Sequence, residues 1–275
     1  MQIDADIVKF QQTIWEYYDA HGRHDLPWRL PDVDGNFDPY KIMVSELMLQ
    51  QTQVGRVIPK FLAFTKQYPT AQSLANAPLA DVLILWSGLG YNRRAKFLWQ
   101  AAQAVLQNHD GKLPATKEEL VKLPGVGANT AGAILAYAYN QPVSFIETNI
   151  RTVFFHHFFH DQKDIPDTAL LPLLEKSLPA DNARLWYWAL MDYGTHLKQT
   201  VGNASRASAH YAKQSKFDGS RRQIRGMVLR LLAIESRTIL YLHDEIPDER
   251  LDSVLSDLIK EGFIKENDSH YQLSA

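Results

Sequence analysis

Two glycines in a short turn, followed by a carboxylate, have the clearest chemical potential in this sequence. Leu123-Pro124-Gly125-Val126-Gly127 leads into a helical stretch that starts at Ala128, and Glu147 follows shortly after that stretch. Glycines let the backbone approach a phosphate closely, and the amides at the start of the next helix attract an anion. An acid just beyond such a grip would lie beside a neighbouring sugar. We therefore expect the chain to hold a DNA strand and to act on one nucleotide.

The candidate phosphate contacts of this hairpin are Gly125, Gly127, Asn129 and Thr130. A Pro-Gly turn between two helices usually has no further role. The small residues Ala131–Ala133, however, allow close packing and make the whole string more specific than two glycines alone. A monovalent cation bound by the hairpin carbonyls could assist the grip.

A second candidate site lies in the apolar stretch around Glu46. Glu46, Gln50 and Gln53 are spaced i, i+4 and i+7, so a continuous helix would place them on one face. That face could be an exposed polar stripe. It also suits a pocket for a base, because a partly desolvated glutamate has a raised pKa and can protonate a base nitrogen at neutral pH.

The third candidate is a turn at Tyr91. Two glycines precede this residue and would project its ring, with Arg93, Arg94 and Lys96 beside it. Such a ring can fill the gap left by an extruded base while the cations hold phosphates. A packed tyrosine at a helix start explains the same residues equally well.

The elements that position these residues are predicted to be almost all helical. Apolar residues recur at helical spacing, and alternating strand patterns are scarce before the C-terminus. Residues 40–64 form either one long helix or two closely joined helices. The other predicted helices lie around Ile7–Tyr18, near Leu74, and over Asp81–Trp86, Asn92–Gln107, a stretch from a Thr116/Glu119 capping box to Leu123, Asn129–Tyr139, Asn149–Phe159, Ala169–Ser177 and Ala183–Leu197.

The C-terminal stretch is predicted to form a winged-helix-like module. A polar, basic linker precedes two helices, Arg221–Ile234 and Leu251–Glu261, and Gly262 ends the second. A short hairpin over Phe263–Lys265 and Tyr271–Leu273 completes it. The fold class is therefore all-α with a small C-terminal wing.

Charge is distributed unevenly although the net charge is only −2. Eight Lys or Arg residues lie between His196 and Arg230 against the single acid Asp218, whereas ten acids follow from Glu235 onward. A basic stripe can bind phosphates, and a solvated linker face is the alternative. We expect Arg221, Arg222 and Arg225 to contact the DNA backbone, while the acids of the last helix make base recognition there improbable.

Several classes of protein are excluded by composition. The sequence has no cysteine, which excludes disulfides and thiolate metal ligands. No apolar run is long enough to span a bilayer, and an export signal is missing, so a cytoplasmic protein, nucleoid-associated if bacterial, is expected. His156, His157 and His160 lie among phenylalanines and are predicted to be core or surface residues rather than metal ligands.

Taken in order, these motifs resemble the helix-hairpin-helix DNA glycosylases, with the MutY-type adenine glycosylases as the nearest branch. Leu26–Arg29, Pro39–Lys41 and the hairpin with Glu147 and Asn149 contribute to the resemblance, which covers about residues 6–197. It implies a two-lobed helix-hairpin-helix glycosylase fold with double-stranded DNA in the cleft between lobes. The expected parts are a six-helix lobe over 31–140, a second lobe from 1–30 and 141–204, a basic linker over 205–219, and the winged-helix-like module over 220–275.

The resemblance also implies roles for individual residues. Glu46 would protonate adenine at N7, Gln50 would contact DNA, Tyr91 would be the wedge, and Asn149 would support the reaction centre. Glu147 stands where the family has the aspartate that stabilises an oxocarbenium-like sugar. Arg93 and the hairpin residues would complete the DNA contacts.

Three departures from the family pattern are evident. Glu147 is one methylene longer than the expected aspartate. The four cysteines of the family's iron–sulfur cluster are missing, and Lys198 and Asn203–His210 lie in their place, which implies a clusterless variant without a cofactor. The Nudix-like domain that recognises 8-oxoguanine is replaced by the short winged-helix-like tail.

The function expected from the sequence is monofunctional base excision. A monomeric DNA N-glycosylase would release adenine mispaired with guanine or 8-oxoguanine. Asn129, where bifunctional relatives carry a lysine, argues against a lyase step. Two alternatives remain open, namely a glycosylase for thymine or uracil opposite guanine or for another damaged base, and a non-catalytic lesion-binding protein. A transcription regulator built on the winged helix has little support.

Overall fold

The computed structural model describes residues 2–160 and 162–274, with side chains from residue 5 onward. These residues are mainly helical, as predicted. In chain order the helices are α1 (Gln2–His21), α2 (Pro39–Leu49), α3 (Val54–Gln67), α4 (Ala71–Ala75), α5 (Leu79–Trp86), α6 (Arg93–Asn108), α7 (Lys117–Leu120), α8 (Ala128–Tyr139), α9 (Thr148–Phe154), α10 (Asp167–Ser177), α11 (Ala183–Thr200), α12 (Arg221–Leu232), α13 (Ile239–Glu245) and α14 (Leu251–Lys260).

The stretch over residues 40–64 forms two helices rather than one. Helix α2 ends at Leu49, Gln51 has a positive φ of 53°, and Gln53 caps α3 in an extended conformation. Because the helix stops before Gln50, the prediction that Glu46, Gln50 and Gln53 share one helical face is wrong. Only Glu46 of the three lies on α2.

Two predicted helix details also differ. Thr116 precedes α7, but its side chain makes no capping hydrogen bond, and α7 ends at Leu120 rather than Leu123. A capping box is found instead at Thr70 and Ser73, whose side chains and backbone amides bond reciprocally. The predicted helix Asn149–Phe159 is divided into α9 and a π-helical turn over Phe155–Phe159.

The C-terminal residues form the predicted helices and hairpin and include two elements that sequence patterning missed. The strands are β1 (Arg237–Thr238), β2 (Ile264–Asn267) and β3 (His270–Leu273), in the order β1–β3–β2 with antiparallel pairing. Strand β1 and helix α13 were not predicted. Gly262 follows α14 with a φ of +67°, as expected for a residue that ends a helix.

The backbone divides into two compact units. The first unit comprises residues 1–46, 115–122 and 126–213, and the second comprises 47–114, 123–125 and 214–275. These bounds differ from the predicted lobes 31–140 and 1–30 with 141–204, because α8 packs with α7 and α11 in the first unit. They also differ from a separate module over 220–275, because that segment belongs to the second unit with α3 to α6.

Each unit has its own apolar core. In the first, residues from α1 pack against α11, with Phe10, Phe154 and Trp186 among the buried rings. In the second, α4 and α5 pack on α6, and Phe64 and Trp86 are fully buried. Within residues 2–160 and 162–274, no helix is both long and apolar enough to cross a membrane.

Candidate active site

Glu46 and Glu147, the two acids predicted to act together, both belong to the first unit. Glu46 lies near the end of α2 and Glu147 at the start of α9, and both are half-buried. Burial raises the pKa of Glu46 to about 8, and the negative charge of Glu147 adds to this shift. The structure thus brings the two acids into electrostatic contact within one unit.

A buried arginine acts on Glu46 in the opposite direction. The charge of Arg29 lowers the pKa of Glu46, although burial outweighs it. Arg29 donates two hydrogen bonds to Asp192, from Nη1 to Oδ2 at 2.8 Å and from Nη2 to Oδ1 at 2.9 Å. Burial raises the pKa of Asp192, but Arg29 and Arg23 outweigh burial, so the pKa lies below its usual value. Arg29 is therefore held as a cation beside the site.

Tyr137 of α8 is a further neighbour of both acids. Its side chain is buried, and its ring stacks on Trp188 with centroids 5.8 Å apart. Burial and the charges of Glu46 and Glu147 raise the pKa of Tyr137 well above its ordinary value. The phenol is consequently a neutral hydroxyl at the site, able to donate a hydrogen bond.

The longer side chain of Glu147 bends back to cap its own helix. Its Oε1 accepts a hydrogen bond from the backbone N–H of Asn149 at 3.1 Å, at the N-terminus of α9. The side chain of Glu147 thus folds back toward its own helix, which offsets the extra methylene that glutamate has relative to aspartate. Burial raises the pKa of Glu147, whereas Lys198, the Asn149 N–H and Arg151 lower it.

Asn149 is fixed by contacts from α11. Its Oδ1 accepts a hydrogen bond from Lys198 Nζ at 2.7 Å, and its Nδ2 lies 3.8 Å from Met191 Sδ. Gly194 permits this approach, because a Cβ at that position would lie 2.7 Å from the Asn149 backbone oxygen. Arg29, Tyr137 and Lys198 were not assigned to the site from the sequence alone. They come from other elements, and no local spacing links them to the two acids.

The start of α8 carries three of the predicted DNA contacts in the first unit. Gly127 and Asn129 are exposed and Thr130 is half-buried. Asn129 Oδ1 accepts from the Ile146 N–H at 3.5 Å. Gly127 has a φ of −83°, and a Cβ there would meet nothing within 4 Å, so this position does not require glycine for its conformation.

Gly125, in the second unit, does require glycine. Its φ is +78°, and a Cβ would lie 2.6 Å from Phe97 Cβ. Of the two hairpin glycines, Gly125 therefore has the positive φ and Gly127 does not. Gly132 of α8 is required for packing, because a Cβ there would lie 2.7 Å from Phe145 Cβ.

The Tyr91 turn, also in the second unit, has the tight geometry that its glycines predicted. Gly88, Gly90 and Tyr91 all have positive φ values, of 94°, 74° and 48°. Arg222 Nη1 donates to the Tyr91 hydroxyl at 2.6 Å. The guanidinium carbons of Arg94 and Arg222 lie 5.3 and 5.6 Å from the ring centroid. Tyr91 is therefore held by two cations.

Arg94 and Lys96 do not serve as the phosphate-binding cations that the sequence suggested. Arg94 is buried and donates to the carbonyls of Leu47 and Met48 at the end of α2, among others. Burial lowers its pKa to about 10. Lys96 Nζ donates to the carbonyls of Glu261 and Gly262 at the end of α14. Both side chains satisfy backbone carbonyls within the second unit.

The remaining predicted DNA contacts of the second unit have internal partners. Arg93 donates to Glu261 at 2.6 and 3.0 Å, and Arg221 donates to Asp257 at 2.6 Å. Arg225 also pairs with Glu261, at 2.7 Å. The side chain of Arg93 is nevertheless 65% exposed. The backbone carbonyl of Gln50 accepts from Arg94, and its side chain is half-buried.

The segment Asn203–His210, which stands where the family has cysteines, contains hydrogen bonds between its own residues. Asn203 Oδ1 accepts from the Ser205 N–H at 3.2 Å and from Ser205 Oγ at 2.6 Å, and Ile165 pairs with Ser208 in a parallel bridge. The sequence contains no thiolate donor. The residues present therefore do not fit an iron–sulfur cluster. Across the part of the chain that the structure describes, no group of three His, Asp or Glu side chains could hold a metal ion.

The histidines on the π-helical turn also have packing roles. A ring nitrogen of His157 lies 3.3 Å from the Tyr193 hydroxyl, and the ring packs 5.1 Å from Phe10. Burial and the neighbouring His156 and His160 lower the pKa of His157 to about 4. The ring is therefore neutral over the physiological range.

The chain is similar to known DNA repair proteins. The family model of the HhH-GPD superfamily base excision DNA repair protein matches residues 44–178. The adenine DNA glycosylase of Mycolicibacterium smegmatis is 35% identical over 269 residues, which cover 88% of this chain and 89% of the relative. The adenine DNA glycosylase of Buchnera aphidicola subsp. Baizongia pistaciae is 37% identical over 186 residues, covering 67% of this chain and 52% of the relative. The chain thus spans about half the length of the second relative.

The fold is also similar to a solved structure. A thermostable thymine-DNA glycosylase aligns with a TM-score of 0.61 and 25% identity, covering 69% of this chain and 86% of the other. The match to the mycobacterial relative extends over nearly the whole of both sequences. The chain therefore belongs to the HhH-GPD superfamily of base excision DNA repair proteins, and within it to the adenine DNA glycosylase family.

Proposed function

We propose that this protein is a DNA N-glycosylase of base excision repair that releases adenine mispaired with guanine or 8-oxoguanine. The observation that carries the proposal is that Glu46, near the end of α2, and Glu147, at the start of α9, lie half-buried in the same compact unit. Burial and the second charge raise the pKa of Glu46 to about 8, so this acid holds a proton at neutral pH. Catalysis of this kind needs one carboxylic acid and one carboxylate, and such a pair supplies both.

In the proposed mechanism, Glu46 is the general acid. It transfers its proton to N7 of the adenine that has been flipped out of the duplex, so that the base becomes a better leaving group. The C1′–N9 bond breaks, and its electron pair leaves with the adenine. Glu147 stabilises the positive charge that develops on the sugar. Water then adds to C1′ and releases a proton.

The neighbouring residues support these two roles. Arg29, fixed by Asp192, limits the accumulation of negative charge beside Glu46. Tyr137 supplies a neutral hydroxyl near both acids. Asn149 donates its N–H to Glu147 and so holds the carboxylate at the start of α9.

Each unit carries residues that would contact DNA. Gly125, Gly127, Asn129 and Thr130 would supply contacts to phosphates at the hairpin, and Gln50 would contact the strand near the base. Tyr91 would fill the gap left by the extruded adenine. Arg93, Arg221 and Arg222 would each have to exchange an internal partner for a phosphate, and the guanidinium of Arg93 is largely exposed.

The proposed reaction is hydrolysis without a lyase step or a metal cofactor. Position 129 carries an amide, which cannot form an imine. The amine of Lys198 is engaged as a donor to Asn149. Borohydride should therefore trap no covalent adduct with DNA. An adduct that disappears in a Lys198→Met variant would overturn this assignment and identify the nucleophile.

A second candidate substrate is thymine opposite guanine. The similarity to a thymine-DNA glycosylase, at 25% identity, favours it, as does the amide of Asn129 on the exposed start of α8. The chemistry at the sugar would be unchanged, and only the contacts to the base would differ.

A single-turnover panel separates these possibilities. Duplexes that contain A, T, U or an alkylated base opposite guanine or 8-oxoguanine are incubated with excess protein, and the released base is measured. Release of adenine supports the proposal. Release of thymine or uracil alone favours the second candidate. Tight binding without release of any base would contradict both and indicate a lesion-binding protein.

A further inference from the structure

Helix α11 presents one face to Asn149. Met191, Gly194 and Lys198 are spaced i, i+3 and i+7, so they lie on the same side of the helix. Each of them meets Asn149: Met191 Sδ contacts its Nδ2 at 3.8 Å, Gly194 leaves room for its backbone, and Lys198 Nζ donates to its Oδ1 at 2.7 Å. One face of α11 therefore packs against the side chain and backbone of Asn149.

Lys198 also acts on the acid that Asn149 holds. Among the groups that counteract the burial of Glu147, the charge of Lys198 has the largest effect on its pKa. Burial lowers the pKa of Lys198 itself, and Glu147 raises it in return. The hydrogen bond of the ammonium goes to the Asn149 amide, so Lys198 influences Glu147 through its charge.

The other charged groups around Glu147 have a smaller or opposite effect on its pKa. Arg151 of α9 is paired with Asp167 of α10 by two hydrogen bonds, at 2.6 and 2.7 Å. Glu46 of α2 carries charge of the same sign as Glu147 when it ionises, and Tyr137 of α8 is neutral. Lys198 is thus the principal cation that acts on Glu147 from α11.

We infer that Lys198 is a positioning residue of the reaction, which holds the Asn149 amide in place and supplies the positive charge that keeps Glu147 a carboxylate in a buried site. This inference rests on the proposed function, because it assigns Glu147 the task of stabilising the sugar cation. Lys198 touches neither the base nor the sugar. It acts through Asn149 and Glu147.

The test compares Lys198→Met, Lys198→Arg and the control Lys9→Met, which removes an exposed lysine from α1. Single-turnover rates are measured against pH on a duplex from which the unaltered protein releases base. Without the cation the pKa of Glu147 rises, so the acid limb of the Lys198→Met profile should move to higher pH. Below the new midpoint the rate should fall about tenfold per pH unit of displacement. Lys198→Arg should keep the original limb, and so should Lys9→Met.

A second measurement does not depend on activity. The carboxyl carbon of Glu147 is titrated by nuclear magnetic resonance in protein labelled at glutamate, with the signal assigned by its loss in Glu147→Gln. A higher Glu147 pKa in Lys198→Met than in the unaltered protein supports the inference. An unchanged Glu147 pKa, or a rate loss that is equal at every pH, overturns it. Failure of the unaltered protein to release any base would instead refute the proposed function, and the titration would still decide the effect of Lys198.

Discussion

Glu46 and Glu147 have the same chemical group, but different neighbours act on them. Arg29 counteracts the effect of burial on the pKa of Glu46, whereas Lys198, Arg151 and a backbone N–H counteract it at Glu147. Two titratable groups whose surroundings differ in this way are suited to one protonated and one ionised role in the same reaction. The pKa of about 8 at Glu46 fits the proton donor.

The pH dependence of base release follows from these shifts. Glu46 must be protonated, so the rate should fall as pH rises through about 8. Glu147 must be ionised, and its pKa is raised, so the rate should also fall on acidification, at a higher pH than an ordinary glutamate would give. Single-turnover rates against pH should trace a bell. A rate that keeps increasing above pH 9 would contradict the role of Glu46.

The coupling between the acids makes a separate prediction. Replacing Glu147 by Gln removes the negative charge that adds to the pKa shift of Glu46. The pKa of Glu46 should therefore fall below about 8 in Glu147→Gln. Carbon-detected titration of glutamate-labelled protein measures this directly, with the exposed Glu16→Gln as the control. An unaltered Glu46 pKa would show that the two acids do not interact.

Sequence patterning selected the two acids and Asn149 as candidate site residues. It did not select the neighbours that shift the pKa values of the acids or bind Asn149. Glu46, Glu147 and Asn149 lie in motifs with distinctive local spacing. Arg29, Tyr137 and Lys198 reach the site from the turn after α1, from α8 and from α11. Their roles depend on tertiary packing, which has no local signal in the sequence.

At the scale of elements, the end of α2 shows why periodicity can mislead. Residues 40–64 are compatible with one long helix or two, yet the chain turns at Gln51, where φ is positive. Arg94 donates to the last carbonyls of α2 and to those of the Tyr91 turn. Arg94, which follows Leu47 by 47 positions in the sequence, thus caps the end of α2.

Arg94 should accordingly be important for stability. Replacing it by Met would leave several buried carbonyls without a donor, and each such group costs about 1–3 kcal/mol. We expect Arg94→Met to lower the free energy of unfolding by more than about 2 kcal/mol, measured by urea denaturation. The neighbouring Arg93→Met should cost less than about 1 kcal/mol, because its ion pair is exposed. Equal losses in the two variants would contradict the capping role.

Glu261 joins elements of the second unit and gives a prediction about acid stability. Arg93 of α6 and Arg225 of α12 both donate to its carboxylate, and these hydrogen bonds lower its pKa from 4.5 to about 2. A depressed pKa stabilises the fold above the unfolded value and loses this effect as pH falls toward about 2. The stability of Glu261→Gln should therefore decline less than that of the unaltered protein between about pH 5 and pH 2. Parallel declines in urea titrations would refute this role.

Local patterning predicted most helices because their apolar stripes are long and regular. It missed α13 and β1, which have seven and two residues and therefore little periodicity. The Thr116 capping box was predicted from residue types alone, whereas the side-chain geometry does not form it. Residue types suggest a helix cap, but the conformation of the side chain determines whether its hydrogen bond forms.

At the scale of the whole molecule, the two compact units divide the candidate residues between them. The first unit holds Glu46, Glu147 and Asn149, and the second holds Tyr91 and Arg93. The predicted lobes had other boundaries, because the actual divisions pass through α2 and through the hairpin. Sequence reasoning places domain boundaries in loops, so divisions within continuous motifs escape it.

Part of the uneven charge along the chain forms ion pairs inside the second unit. The basic stretch before Arg230 and the acidic stretch after Glu235 suggested a DNA-binding stripe beside an acidic tail. In the second unit Arg221 and Arg225 instead pair with Asp257 and Glu261. Two of the eight basic residues therefore pair with acids on or just after α14.

The central claim is that Glu46 and Glu147 act together in catalysis on a single nucleotide. The most direct test measures single-turnover release of adenine by Glu46→Gln, Glu147→Gln and the double variant, with Glu16→Gln as the control. Each single variant should lose at least about a hundredfold in rate, and the double variant should lose little more than the worse single one. Adenine release near the unaltered rate in either single variant would contradict the claim.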